Sequence, residues 1–146
     1  FGLGLKLPND KTDVIYYGYG PYESYSDKHR ASWVDRFDTT VDDMFEDYVF
    51  PQENGSHYNC QYASVGNLFA KGKKPFSFQA SRYSEKELDE KAHNFELVPS
   101  DGIYVALDYK QSGIGSNSCG PRLAEKYQIR EEKIEWEISI RFDNKN

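Results

Sequence analysis

The chain has 146 residues, 38% of them hydrophobic and 16% aromatic, which is enough for one core and too little for two ordinary domains. Its 18 Lys and Arg residues are scattered and outnumbered by 24 Asp and Glu residues, which argues against nucleic acid or an anionic membrane as a partner. No window approaches the roughly 18 continuous apolar residues of a membrane span. We therefore expect one domain over residues 1–146. Two distant cysteines, Cys60 and Cys119, do not suggest a disulfide framework and favour a reducing, cytoplasmic location.

The N-terminal residues alternate between apolar and small or polar side chains. Every second residue from Phe1 to Leu7 is apolar, residues 8–11 have turn composition, and residues 14–17 form a second apolar run. This pattern predicts a β-hairpin. Because the alternation begins at the first residue without a cap or a start methionine, we expect a chain cut from a longer protein, with a first strand that leaves a sheet edge open.

Residues 16–28 combine Gly18, Gly20 and Pro21 with five tyrosines and two acids. The glycines permit tight backbone turns, the proline fixes φ, and the aromatic rings give the segment a packed surface of its own. This composition favours a rigid loop at the rim of a site over a catalytic nucleophile. The tyrosines could stack on sugars, although core packing is the commoner role; they are Tyr16, Tyr17, Tyr19, Tyr22 and Tyr25.

Two short helical segments are predicted to interrupt the strands. Ser84 and Glu87 have the Ser-x-x-Glu spacing of a capping box, which predicts a short surface helix. A second helical turn is predicted at residues 40–45, before Phe50-Pro51 requires extended backbone. The acidic residues near this turn lack the ligand spacing of an EF-hand, so we interpret them as a solvated turn.

Alternating apolar residues predict three further strands. One contains Phe76 and Phe78 after a turn at residues 71–75, the second covers residues 103–109, and the third covers residues 134–142. In each, one face is expected to be core and the other solvated. The whole pattern predicts an all-β fold, an antiparallel β-sandwich with one or two short helices.

Four motifs occur in a characteristic order. They are Tyr-Gly-Tyr-Gly-Pro-Tyr-Glu-Ser-Tyr-Ser-Asp at residues 17–27, Phe-Pro-Gln-Glu-Asn-Gly at 50–55, Phe-Gln-Ala-Ser-Arg-Tyr-Ser at 78–84, and Gly-Ile-Gly-Ser-Asn-Ser-Cys-Gly-Pro at 113–121. Together they resemble the C-terminal domain of lactase-type β-galactosidases of glycoside hydrolase family two. The resemblance runs from near residue 1 to near residue 142. It implies part of a large antiparallel supersandwich related in fold to galactose mutarotases, and it is also similar to the end of the small subunit in two-chain versions of these enzymes.

The resemblance implies that the parent protein hydrolyses terminal β-D-galactosides such as lactose with retention of configuration. Two glutamates of the family's central barrel act as acid and nucleophile. This chain has no motif matching the segments that carry those glutamates or the family's magnesium and monovalent cation, so we expect no catalytic residue, metal ligand or cofactor in it. The expected partners are the rest of the parent enzyme and the β-galactoside, and a homo-oligomer is also possible.

The resemblance further implies a substrate-binding role for the loop at residues 113–121. In the family this loop reaches the mouth of the active site, where one side chain forms part of the platform for the aglycone or acceptor sugar. Motif alignment places Cys119 at that position, flanked by Asn117, Ser118 and Gly120. Some relatives have tryptophan there, and because a thiol offers no stacking face, we expect weaker glucose binding at the second subsite.

Two residue pairs contain a histidine and another metal-ligating side chain, and two other functions are open alternatives. His57 and Cys60 are three residues apart in a strand and should point to opposite faces, so a shared metal is improbable. The same argument applies to His93 and Glu96 if that stretch is extended. The alternatives to a β-galactosidase segment are a stand-alone carbohydrate-binding module and a galactose-mutarotase-like epimerase, which requires a His and a carboxylate in one cleft. A buried His93 beside a glutamate would favour the epimerase.

Overall fold

The computed structural model describes residues 1–115 and 122–143. The strands in these residues are β1 (Gly2–Pro8), β2 (Asp13–Gly20), β3 (Trp33–Thr40), β4 (His57–Val65), β5 (Leu68–Ser81), β6 (Gly102–Asp108) and β7 (Ile138–Phe142). One α-helix, α1 (Glu85–Glu90), and two 3-10 turns, Asn94–Glu96 and Glu125–Tyr127, accompany them. The predicted all-β class is confirmed.

The strands form one antiparallel sheet in the order β1-β6-β5-β4-β2-β3, with β7 as an additional partner of β5. The length of β5 explains this branch. Its first part, Leu68–Gly72, pairs with β7, whereas its last part, Ser77–Ser81, pairs with β6. Strand β4 pairs along the other side of β5. Side chains from both parts of the sheet meet in a single hydrophobic cluster, as expected of a sandwich.

Strand β6 shows why the alternating pattern predicts burial well. Ile103, Val105 and Leu107 are each at most 1% exposed, while the residues between them face away from the core. The C-terminal strand is shorter than predicted, since regular pairing begins only at Ile138. Ile138 and Ile140 nevertheless pack against the core, as does Trp136 before the strand.

The predicted N-terminal hairpin is wrong. Strand β1 pairs with β6, so that Leu5 faces Val105, and β2 pairs with β3 and β4 instead. The turn itself forms, with the Lys11 N–H donating to the Pro8 carbonyl at 3.2 Å. It connects strands that lie far apart in the sheet. A local turn signal does not specify which strands pair when burial favours a non-local partner.

The predicted turn at residues 71–75 is also wrong, because this segment lies inside β5. Lys71 faces Tyr62 and Phe76 faces Cys60, so five steps along β5 match two steps along β4. Residues 72–75 therefore form a bulge, and the Lys73 N–H bonds the Glu137 carbonyl at 3.1 Å. Gly and Pro occur at bulges as well as at turns, which explains the error.

The predicted cap of α1 is confirmed. The Ser84 hydroxyl accepts a hydrogen bond from the Glu87 N–H at 3.0 Å, and Leu88 is buried beneath the helix. The Glu87 carboxylate accepts from the Val98 N–H at 2.9 Å and so ties the helix to the following loop. Residues 41–44 form turns without a helix. No helix in the described ranges is long and apolar enough to cross a membrane.

Candidate functional site

The tyrosine-rich segment begins as strand β2 and becomes a loop after Gly20. Tyr16 and Tyr25 are each 1% exposed, so core packing is the correct interpretation for both. The Tyr16 ring stacks on Phe37 with centroids 5.1 Å apart. Tyr22 is 59% exposed, and of the five tyrosines it alone presents most of its surface to solvent.

A single buried carboxylate, Glu23, joins the first two motifs. It accepts hydrogen bonds from the Lys28 ammonium, from the Tyr48 hydroxyl and, at 2.9 Å, from the Gly55 N–H. Burial alone would raise the pKa of Glu23, but these three donors lower the pKa below its ordinary value. Glu23 is therefore ionised at neutral pH and fully engaged with protein groups.

The second motif is joined to the third through Asn54. This residue is 3% exposed, and its main-chain carbonyl accepts a hydrogen bond from the Gln79 side-chain amide. Its own side chain accepts from the Glu46 N–H at 3.1 Å and donates to the Gln52 carbonyl at 2.9 Å. The residues around Asn54 are consequently held by bonds on several sides.

Arg82 of the third motif binds one of the clustered acids. Its guanidinium contacts both carboxylate oxygens of Asp42, at 2.5 and 3.0 Å, and also reaches the Asn9 side chain. The hydrogen bonds from Arg82 lower the pKa of Asp42. Among the described residues, no group of three or more His, Cys, Asp and Glu is arranged to hold a metal ion.

Asp27 holds the start of the fourth motif. Its carboxylate accepts from the Ile114 N–H at 3.1 Å and from the Gly115 N–H at 3.0 Å. A Cβ at Gly113 would collide with this carboxylate, so the close approach requires glycine. The Gly113 N–H donates in turn to the Tyr127 carbonyl at 3.1 Å. The base of the glycine-rich loop is thus fixed from both sides.

The predicted substrate-binding residues Asn117, Ser118, Cys119 and Gly120 lie outside the described residues. A cleft of about 430 Å³ lies beside the fixed base of their loop. Its lining includes Ser26, Tyr58, Asn59, Tyr109, Gln111 and Tyr127. Sequence reasoning missed this cleft because its walls come from five separated segments, and only the position of Ser26 beside Asp27 in the first motif could have pointed to it.

The prediction that His57 and Cys60 face opposite ways is wrong. Asn59 between them has a φ of 57°, and the pairing of β4 with β5 shifts register there, so both side chains are buried. The His57 ring packs 4.4 Å from the Tyr16 centroid, and its Nδ1 lies 3.0 Å from the Tyr19 carbonyl. Burial lowers the pKa of His57 to about 4. The ring is therefore neutral and structural.

The remaining sulfur and histidine candidates also have structural surroundings. The Cys60 thiol donates to the His57 carbonyl at 3.4 Å, and burial raises the pKa of that thiol, which makes it a poor nucleophile. The His93 side chain is 54% exposed and pairs with Glu96 at 3.4 Å on the surface. These two residues do not form the buried arrangement that would favour an epimerase.

Comparison with known proteins gives a consistent result. The family model described as beta galactosidase small chain matches residues 1–142. A β-galactosidase of Actinobacillus pleuropneumoniae is 48% identical over 143 residues, and one of Staphylococcus xylosus is 43% identical over 146. These alignments cover 98% and 97% of this chain. The chain spans only 14% and 15% of the length of those two relatives.

Proposed function

Because the chain belongs to the beta galactosidase small-chain family, we propose that it is the C-terminal segment of a β-galactosidase and helps to shape the aglycone side of its active site. The observation that carries this proposal is the pair of hydrogen bonds from the Ile114 and Gly115 N–H groups to Asp27. A loop base that is fixed before the substrate arrives reduces the entropy lost on binding.

The proposed reaction is hydrolysis of terminal β-D-galactosides such as lactose with retention of configuration. That chemistry requires two carboxyl groups about 5 Å apart, one as acid and one as nucleophile. No motif of this chain matches the segments that carry the family's two catalytic glutamates or its metal ions. We therefore assign both catalytic carboxylates to the remainder of the parent enzyme, along with the magnesium and the monovalent cation.

The proposed role of the loop at residues 113–121 is contact with the aglycone, the sugar that leaves during hydrolysis, or with an acceptor sugar in the same place. Asn117 and Ser118 would offer hydrogen bonds to hydroxyl groups, and Gly120 would allow close approach of the backbone. Cys119 would supply a small polarizable contact in place of an aromatic platform. Weaker binding of glucose at the second subsite than in relatives with tryptophan at this position is the expected consequence.

The experiment is complementation with a chromogenic β-galactoside. We expect no hydrolysis by the 146-residue chain alone and hydrolysis when it is mixed with the remaining N-terminal part of its parent. In the mixture, Cys119→Trp should tighten inhibition by glucose, because the indole adds a stacking face. Lys133→Ala, which removes an exposed ion pair with Glu135, is the matched control and should leave activity unchanged.

Two results would contradict the proposal. An inactive mixture in which both parts are folded would show that this segment does not complete the enzyme. Unchanged glucose inhibition in Cys119→Trp would show that residue 119 does not contact the aglycone side.

A further inference from the structure

The sheet face opposite the hydrophobic core carries a groove of about 410 Å³ between α1 and strands β1, β5 and β6. The strand register explains its floor. Gly4 faces Ala106, and Ala106 faces Gln79 on the next strand. Their sequence neighbours Leu5, Val105 and Ala80 pack into or against the core, so this row lies on the other face.

Gly4 is the reason why the groove is open. A Cβ added at Gly4 would meet no atom within 4 Å, whereas a Cβ at Gly2 or Gly102 would collide with backbone carbonyls of the neighbouring strands. The glycines at positions 2 and 102 therefore allow close strand approach. Gly4 has no such steric role, and its missing side chain leaves empty space above the sheet.

The walls combine two aromatic residues with hydrogen-bonding groups. Tyr83 and Tyr104 line the groove, as do Gln79 and Ser81. The Gln79 amide N–H is used by the Asn54 carbonyl, which leaves the Gln79 carbonyl oxygen as an acceptor. The Ser81 oxygen accepts from the Tyr83 N–H at 3.0 Å, which leaves the Ser81 hydroxyl proton to donate.

The charges in the groove disfavour an anionic ligand. Its two lysines are both paired, Lys6 with Asp101 at 2.5 Å and Lys86 with Glu90 at 3.7 Å. The side chains of Glu53 and Glu85 line the same space and can accept hydrogen bonds from hydroxyl groups, and burial raises the pKa of Glu53 to about 7. A small ligand rich in hydroxyl groups and without negative charge fits this combination of rings, acceptors and a hydroxyl donor.

We propose that this groove is a binding site for a neutral sugar about the size of a monosaccharide. Its volume lies within the range of roughly 300 to 1,000 Å³ that is usual for small-molecule sites. Its lining shares no residue with the cleft beside the glycine-rich loop. The proposal therefore concerns a second site and does not depend on the hydrolytic role of that loop.

The test is titration of the 146-residue chain with D-galactose and with D-glucose, followed by ¹H–¹⁵N NMR. We expect saturable shifts at Gly4, Tyr83 and Tyr104 with at least one of the sugars. Gly4→Val should weaken binding by at least about 10-fold, because the branched side chain fills the floor. The same variant should keep or raise the thermal midpoint, since valine favours strands and Gly4 has open space.

Ser139→Val is the matched control, because it adds the same side chain at an exposed position of strand β7, outside the groove. It should leave sugar binding unchanged. Absence of saturable shifts in the groove with both sugars would overturn the proposal, as would equal affinity of Gly4→Val and the wild type. Hydrolysis by the mixture described above is a separate readout, so either proposal can fail without the other.

Discussion

The buried junction, formed by Glu23 and the groups that donate to it, differs from the open groove above Gly4 in how its polar groups are satisfied. The Glu23 carboxylate is engaged by an ammonium, a hydroxyl and a backbone N–H. In the groove, the Gln79 carbonyl and the Ser81 hydroxyl proton keep bonding capacity next to about 410 Å³ of space. A carboxylate whose bonds are already made stabilises a fold, whereas polar groups with remaining capacity can recognise a ligand.

The strongest way to break the junction is Glu23→Ala. This change leaves the Gly55 N–H and the Lys28 and Tyr48 groups without their shared acceptor, and we expect a loss of about 3 kcal/mol of unfolding free energy. Urea denaturation at pH 7 measures it. The control is Glu137→Ala, which removes an exposed partner of Lys73 and should cost under about 0.5 kcal/mol.

The pH dependence of the same pair of variants gives a second readout. The pKa of Glu23 is lower in the folded chain than its usual value of 4.5. Its stabilisation is therefore present above that value and is lost as the pH falls through the lower, folded-state pKa. Equal losses in Glu23→Ala and Glu137→Ala at pH 7 would mean that the junction is no more important than a surface ion pair.

The difference between these two regions also explains what the sequence could predict. Periodicity placed Ile103, Val105 and Leu107 in the core, and the Ser84 cap marked the only α-helix among the described residues. Both signals are local, because they depend on the geometry of one element. The four motifs pointed to the family independently of any pairing.

The parts that sequence reasoning missed depend on contacts between distant segments. Glu23 looks like a surface acid in a polar loop until Gly55, 32 residues away, donates to it. The irregularity at Asn59 shifts the strand register, so that the side chains of both His57 and Cys60 are buried. Nothing in the spacing of these two residues indicates such a shift. Gly4 looked like part of a hairpin, and its open face became visible only when β1 was found beside β6.

The pH dependence of stability tests the effect of burial at His57. Its pKa is about 4 in the folded chain against 6.5 in a model peptide, so the unfolded chain binds more protons between these values. Stability should therefore fall as the pH decreases, by about 2 kcal/mol from pH 7 to pH 5. Urea denaturation across this range measures the slope. His57→Phe should be less stable at pH 7 but should lose most of this slope, and an unchanged slope would assign the effect to other groups.

Asp27 lies between the two kinds of region, because it is partly exposed yet has two backbone donors. We expect Asp27→Ala to lower the unfolding free energy by only about 1 kcal/mol, since water can replace the lost acceptor. Hydrogen exchange at the Ile114 and Gly115 amides should accelerate by about 10-fold, while exchange in β6 should stay unchanged. Asp27→Asn keeps one acceptor oxygen and should give an intermediate rate. If exchange at Ile114 and Gly115 did not accelerate, the loop base would be held by the Gly113 bond to Tyr127 alone. In that case the Asp27 carboxylate would have hydrogen-bonding capacity left for a ligand, as the polar groups of the groove do and as Glu23 does not.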